Sequence, residues 1–411
     1  MSGVFATVLA MRFLHTSDWH LGRSLHRADL REAQSGFVDH LVETVRSERV
    51  DAVLVAGDIY DRAIPPVDAV ALYEEALARL RAAGARVILI SGNHDSARRL
   101  GVNAALVDAA GVHLRTRPAA LADPVLLADA NGPVAVYGIP YLEPLQGTHE
   151  SVLGDALTRI RADAAARGVP RTVVLAHAWV AGGASAAERE QDAESRRSAS
   201  ERDISVGGIG YVPARLFDGL GYAALGHLHG RQTLAGHLRY SGSPLPYSFS
   251  EKDQQKGSWL VELTPGRAAG STDSGPAGGT VRADWVPAPV YRRLTALSGS
   301  LADLLADRAH APYENDFLAV TLTDPVRPEG AMDRLRARFP HILTLEFRPP
   351  DAPADPRSYG QKVRGRDDLA VAAEFVRHVR RTDASDPERA LLSDAFTAVR
   401  QTGAVQEKAG H

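Results

Sequence analysis

No cysteine occurs in this 411-residue chain, which excludes disulfides, thiolate metal sites and cysteine nucleophiles together. Any metal must therefore be held by His, Asp, Asn or Glu. Lysine is nearly absent too, standing only at Lys252, Lys256, Lys362 and Lys408, and arginine carries almost all of the basic charge. Beside the abundance of alanine, this scarcity reads as compositional bias rather than a recognition device. Net charge is also lacking. With 47 basic and 50 acidic residues the balance is −3, so the chain has no global electrostatic footprint of a nucleic-acid binder. Affinity of that kind must be local or supplied by a partner.

No apolar run is long enough to span a bilayer. Met1 to Ala10 is mildly apolar but short and without a basic leader. The expectation is a soluble, cytoplasmic protein. Met11 directly precedes the first strand, so residues 1–10 read as an over-extended start or a frayed tail. No internal repeat is apparent.

What is present is alternation. Residues 12–16 read as a strand, and a helix follows from about Leu30 to Glu48 with Phe37, Leu41, Val42 and Val45 on one face. A second strand spans Asp51 to Ala56. Pro65-Pro66 opens a helix whose Val67, Val70, Tyr73, Leu77 and Leu80 recur at helical spacing before Gly84 closes it. The run Val87 to Ile90 is a third strand. This pattern argues for an α/β fold, mixed sheet flanked by helices. Further strands are expected at Val134–Tyr137, Thr172–Ala176, Tyr222–Leu225, Leu238–Ser241 and Ser258–Leu263. The last of these are too closely spaced for helical crossovers, so the later half of the sheet should be antiparallel.

Residues 181–205 read as a long loop, and 265–280 as a flexible Gly-, Ser- and Pro-rich excursion that ends a first domain over 11–264. Short strands at 291–294, 317–322 and 342–347, with a helix around 331–339, suggest a small α+β domain over 281–350. A polar linker at 351–366 leads to a helical tail at 367–403. There Leu369, Ala372, Val376 and Val379 share one face, and Leu391, Leu392, Ala395, Phe396 and Val399 another, with Asp386 as cap and Pro387 as first residue. So small a pair should dock on a partner or fold back on its own chain.

The polar residues that matter fall at strand ends, where open α/β sheets bind ligands. Asp18-Trp19-His20 follows the first strand, Gly57-Asp58-Ile59-Tyr60-Asp61 the second, and Gly92-Asn93-His94-Asp95 the third. His177 and Gly226-His227-Leu228-His229 end two later ones. A lone His is usually a satisfied side chain and an Asp beside Gly a turn former. Five of the 15 histidines gathered with Asp18, Asp58 and Asn93 at strand ends are neither. Carboxylate, imidazole and amide ligands suit divalent Mn, Fe or Zn. Eight such groups exceed one tetrahedral ion, and two bridged ions about 3.5–4 Å apart form the arrangement that hydrolyses phosphoesters.

These ordered motifs resemble those of the calcineurin-like metallophosphoesterases. Within them the chain is similar to the SbcD-type bacterial nuclease subunits, through His15 to Arg23, Gly57 to Arg62, Tyr137 to Tyr141, Val206 to Gly208 and Tyr240 to Glu251. The resemblance implies a first metal on Asp18, His20 and His229 and a second on Asn93, His177 and His227, with Asp58 bridging. It implies that His94 acts on the scissile phosphate with Asp95 orienting its ring, and that Asp61 stands behind the ligands. It further implies two Mn²⁺ ions, a capping and DNA-binding role for 281–350, and DNA as substrate, cut 3′ to 5′ at duplex ends and endonucleolytically at hairpins and single strands. The partners implied are an SbcC-type coiled-coil ATPase and a second copy of the chain, with no membrane. A hydrolase of small phosphoesters and a non-catalytic scaffold are the competing readings. The helical tail argues against the first, and the filled ligand positions against the second.

Overall fold

The computed structural model describes residues 10–144, 146–182, 210–264, 280–350, 367–380 and 382–408. Most of the 181–205 loop, Val206 to Gly208, the 265–280 excursion as far as residue 279 and the 351–366 linker lie outside the described residues. In chain order come β1 (Met11–Thr16), α1 (Arg31–Glu48), β2 (Ala52–Ala56), α2 (Val67–Ala82), β3 (Arg86–Ile90), α3 (Ala97–Leu100), α4 (Ala104–Asp108), β4 (Val112–Arg115), β5 (Val125–Asp129) and β6 (Gly132–Ile139). There follow α5 (His149–Arg167), β7 (Arg171–His177), β8 (Val180–Ala181), β9 (Val212–Pro213), β10 (Tyr222–Gly226), β11 (Gln232–Ala235), β12 (Leu238–Tyr240), β13 (Gly257–Leu263) and β14 (Val281–Pro287).

These strands make two six-stranded sheets, ordered β14-β13-β1-β2-β3-β4 and β11-β12-β10-β7-β6-β5. Both faces of each central strand are buried, which is why β2 and β3 read as unbroken apolar runs. Alternate residues serve the two faces. Leu14, Val53, Val55, Val87 and Leu89 pack with Phe37, Val38 and Leu41 of α1 and Leu80 of α2. Phe13, Leu54, Ile88 and Ile90 meet Val134, Val136, Val173 and Leu175 of the other sheet. On its far side, Tyr137, Val174 and Leu225 pack with Leu153, Leu157 and Ile160 of α5. The order is helix, sheet, sheet, helix.

Three expectations change. Val67 and Val70, expected on the inner face of α2, are 82% and 42% exposed; the helix buries Ala69 and Ala76 in their place, together with the expected Leu80. The later strands are only partly antiparallel: β13 runs antiparallel to β1 and β14 as expected, but β6, β7, β10 and β12 run parallel to one another, with β5 and β11 reversing at the edges of their sheet. The link from β10 to β12 uses β11 as its outward leg, so a parallel pair forms without a crossover helix. Finally, β14 pairs along its length with β13. Residues 281–287, expected to open the second domain, complete the first sheet.

After β14 come β15 (Leu294–Gly299), α6 (Leu301–Ala306), β16 (Phe317–Leu322), α7 (Ala331–Arg338), β17 (Ile342–Phe347), α8 (Asp368–Arg380) and α9 (Asp386–Lys408). The strands form a small sheet ordered β15-β16-β17. By contacts the chain divides into two compact units, one of residues 1–296, 313–319 and 341–344, the other of 297–312, 320–340 and 345–411. In the tail Val371, Ala372, Phe375 and Val376 of α8 face Leu392 and Phe396 of α9 across a shared groove. The cap of α9 is Ser385 rather than Asp386, since Glu388 accepts from both the backbone N–H and the hydroxyl of Ser385.

One ion pair, buried on its Arg171 side, ties three strands of the first unit. Arg171, 2% exposed at the start of β7, donates to both Asp129 oxygens at 2.9 and 2.6 Å, and Asp129 also accepts from the Met11 N–H at 2.9 Å. Arg171→Met should leave the half-buried Asp129 carboxylate without its cation and cost about 1–3 kcal/mol. Urea unfolding should show it as a lower midpoint at unchanged slope.

Candidate metal centre

The parallel register brings the ligand-bearing strand ends together. Thr16 pairs with Val55, Ala56 with Ile90, and Gly226 with His177, so each polar motif leaves its strand beside the next. The turns that follow are tightly bound to one another. Asp18 N–H donates to Gly57 O at 3.0 Å, His20 N–H to Asp58 O at 3.0 Å, and Leu21 N–H to Ile59 O at 2.9 Å. Within them Asp18, His20 and Asp58 have φ of 52°, 44° and 50°, and His227 has 106°. Left-handed backbone of this kind is costly for residues with a side chain and concentrates at functional sites. Glycine makes the approach possible: a Cβ at Gly92 would strike the Asp58 carboxylate, and one at Gly226 the Ala56 carbonyl.

Every ligand expected from the sequence lies in this cluster. Asp18, His20 and His229 offer atoms within 4.8 Å of one another, as do Asp18, Asp58 and His177. Asp58 Oδ2 stands 3.6 Å from His20 Nε2 and 3.4 Å from His177 Nε2, between the two expected halves. Asn93 Oδ1 lies 2.9 Å from His177 Nε2 and 3.1 Å from His227 Nδ1. His20 Nε2 and His229 Nε2 are 3.1 Å apart. Asp18, His20, Asp58, His177 and His229 are at most 2% exposed.

Backbone carbonyls set the tautomers. A carbonyl can only accept, so His177 Nδ1 donates to Ala56 O at 2.8 Å and His94 Nδ1 to Asp61 O at 2.7 Å. In the neutral rings Nε2 then faces the cluster as a lone pair. His94 Nε2 lies 4.0 Å from Asp58 Oδ2, buried and without a hydrogen-bond partner. His94 also falls within 4.8 Å of His20 and Asp58. An inward set of carboxylate oxygens, imidazole nitrogens and one amide oxygen, with no sulfur, fits hard-to-borderline divalent ions.

The expectation for Asp95 is corrected. Its carboxylate does not touch the His94 ring; it accepts from the N–H groups of Ile59, Tyr60 and Gly92 at 3.0, 2.9 and 2.9 Å. It staples the Asp58 turn to the Asn93 turn. The ring of His94 is held by the Asp61 carbonyl, while the Asp61 carboxylate pairs with Arg23 at 3.4 Å. Several neighbours carried no role in the sequence reading. Tyr247 packs edge-on against His20 and His229, with ring centroids 5.5 and 5.9 Å away. Tyr141 stands 6.3 Å from His177, and Glu251 and Lys256 lie behind His229. Tyr141, Tyr247 and Glu251 do fall within the family-like stretches, which was their one available signal.

Charge is concentrated here. Burial raises the Asp18 carboxyl to about 6 despite the neighbouring imidazoles of His177 and His229. Burial would raise Asp58 as well, but His177, His94 and His20 hold it well below the ordinary carboxylate range. For His177 burial acts downward, and it is outweighed by Asp58 and Asp18, which lift the ring to about 9. At pH 7.5 the metal-free site therefore keeps a proton on His177 that a metal must displace. Loading a divalent ion at that pH should release about one proton per chain. Below pH 6 Asp18 adds another, so release rises and affinity falls as pH drops. Calorimetric titration in two buffers of different ionisation enthalpy measures this.

Residues 290–380 match the type 5 capsule protein repressor C-terminal domain family. Solved structures similar to the chain include GAP50, the anchor in the inner membrane complex of Plasmodium, at 11% identity and TM-score 0.37, over 84% of this chain and 100% of that one. A dimetal phosphatase from Danio rerio matches at 14% identity and TM-score 0.37, over 67% of this chain and 98% of its own. Residues 11–192 match the calcineurin-like phosphoesterase family. Together with the clustered His and Asp groups, this match over residues 11–192 supports a metal-dependent phosphoester hydrolase.

Proposed function

We propose that the chain is a Mn²⁺-dependent DNA nuclease, a 3′-to-5′ exonuclease on duplex ends and an endonuclease at hairpins and single strands. It would act in the cytoplasm with an SbcC-type coiled-coil ATPase in DNA repair, recombination and replication. The observation that carries the hydrolytic part is the convergence of Asp18, His20, Asp58, Asn93, His177, His227 and His229 from five strand ends on one buried centre. Two divalent ions held by these residues would supply an activated water and offset the charge of the phosphodiester.

The chain's own residues do the rest. His94, held at Nδ1 by the Asp61 carbonyl, keeps Nε2 directed at the centre, where the doubly protonated ring can give its Nε2 proton to the departing oxygen and be left neutral. Arg23 lies over the Tyr247 ring, 5.3 Å from its centroid, and brings positive charge to the edge of the site for a backbone phosphate. Support for DNA rather than a small ester comes from Tyr141 and Tyr247. Both belong to the SbcD-like stretches outside the ligand motifs, and both pack against the ligands. The tail supports a partner: Val379 and Leu391 are 61% and 73% exposed on the paired helices, which suits an amphipathic helix-in-groove contact.

The direct test incubates purified protein with Mn²⁺ and end-labelled duplex, hairpin and single-stranded DNA, alongside a chromogenic phosphodiester. Cleavage of the small ester alone would favour the small-substrate reading. Two substitutions separate chemistry from binding. Asp58→Asn should lose both metal equivalents and all activity, whereas His94→Asn should keep both, by elemental analysis, and lose roughly 10²–10⁴-fold in rate. A missing equivalent in the second protein would make His94 a ligand.

For the tail, the double change Val379→Asp and Leu391→Asp should leave helical content and cleavage of short single strands intact. Co-purification with the ATPase should be abolished, and unchanged association would refute docking.

A further inference from the structure

The histidines of the centre are not supported alike. His177 rests its outer nitrogen on a neutral acceptor, the Ala56 carbonyl at 2.8 Å. His20 has its Nδ1 buried without a hydrogen-bond partner. His229 differs from both, with its Nδ1 3.1 Å from Glu251 Oε1. A carboxylate can only accept, so Nδ1 donates and Nε2 is left to face His20 and Asp18.

Glu251 is itself built into the fold. It closes a short 3-10 turn, Phe249–Glu251, and is completely buried. Its second oxygen takes Lys256 Nζ at 2.6 Å and the Tyr247 N–H at 3.3 Å. Lys256 is buried as well and donates to His229 O at 2.9 Å, Ser243 Oγ at 2.9 Å and Gln254 Oε1 at 2.8 Å. One ammonium thus grips His229 at its backbone and, through Glu251, at its ring. Burying such a charge pair is costly, and apolar packing of the same volume is often at least as stabilising. Its placement directly behind a ligand calls for a reason other than stability.

We infer that Glu251 and Lys256 are positioning residues that fix His229 and strengthen it as a ligand for a divalent cation. They would thereby make the Asp18–His20–His229 half of the centre bind more tightly than the half carried by Asn93, His177 and His227. The inference rests on the two-metal reading of the site and adds an asymmetry to it. An anionic acceptor on the outer nitrogen raises the basicity of the inner one and locks the ring orientation, and loss of such a partner commonly costs 10–100-fold in metal affinity.

Calorimetric titration with Mn²⁺ and the electron paramagnetic resonance of bound Mn²⁺ test it on the full chain. The wild type should show a tight and a weaker class. In Glu251→Gln, which keeps the shape and removes the charge, the tight class should weaken about 10–100-fold, and the weaker class should stay within about twofold. Glu251→Asp, retaining the charge on a shorter arm, should fall between. If Glu251→Gln fails to fold by circular dichroism, Glu251→Asp is read alone by the same criterion. In either variant, unchanged affinities, or an equal fall in both classes, would overturn the inference while leaving the two-metal reading standing. A wild-type protein that binds no Mn²⁺ would overturn both.

Discussion

The constraint on which this molecule depends is the burial of like-charged and competing groups at the meeting of strand ends. Asp18 and Asp58 lie buried among imidazoles, and their turns hold left-handed backbone at Asp18, His20 and Asp58. Each such residue costs on the order of 1–3 kcal/mol. The cost is offset by bonds that only this arrangement makes. The Asp18–Leu21 segment pairs with the Gly57–Ile59 segment as a short ladder, and Asp95 gathers three backbone N–H groups from two turns. Carboxylates, rather than apolar packing, therefore hold the rim of the site together, and two six-stranded sheets beneath supply the rigidity.

That architecture separates holding from reacting. Asp95 and the Asp61 carbonyl work on the protein side, one on the turns and the other on the His94 ring, so His94 can face the centre without a competing partner. Backbone carbonyls behind His177 and His94 choose the ring tautomer without adding charge. Behind His229 the choice is made by a buried carboxylate. Since a metal site is tuned as much by what stands behind its ligands as by the ligands themselves, this support behind His229 adds to the difference already made by the Asp18 carboxylate in one half and the Asn93 amide in the other.

Much of this was legible in the order of residues. Buried strands announce themselves because both faces must be apolar, as in Ala52 to Ala56 and Val87 to Ile90, and ligand motifs stand out because strand ends are where polar groups are useful. The eight candidate groups Asp18, His20, Asp58, Asn93, His94, His177, His227 and His229 could be named from chemistry and strand-end position, whereas the division into seven ligands and His94 was implied by the family resemblance. The role of Asp95 could not be named in this way. Adjacency in sequence suggests a contact with His94, but successive side chains at a tight turn diverge, and the carboxylate reaches back to Ile59 and Tyr60 of another turn. The inner face of α2 differs at its first turns for a related reason: helical spacing is shared by several stripes, and the packing of the helix on its sheet selects Ala69 and Ala76 over Val67 and Val70, while Leu80 is buried as expected.

The sequence by itself determined most element types of the first unit and the inventory of candidate ligands, because periodicity and side-chain chemistry are local properties. Tertiary structure alone decided that the strands divide into two sheets, that β14 belongs to the first of them, and which acceptor stands behind each histidine. Pairing and hydrogen bonding join residues far apart in the chain. Lys256 shows the difference: in a chain with four lysines it reads as bias, and only the fold places its ammonium against both Glu251 and the His229 carbonyl.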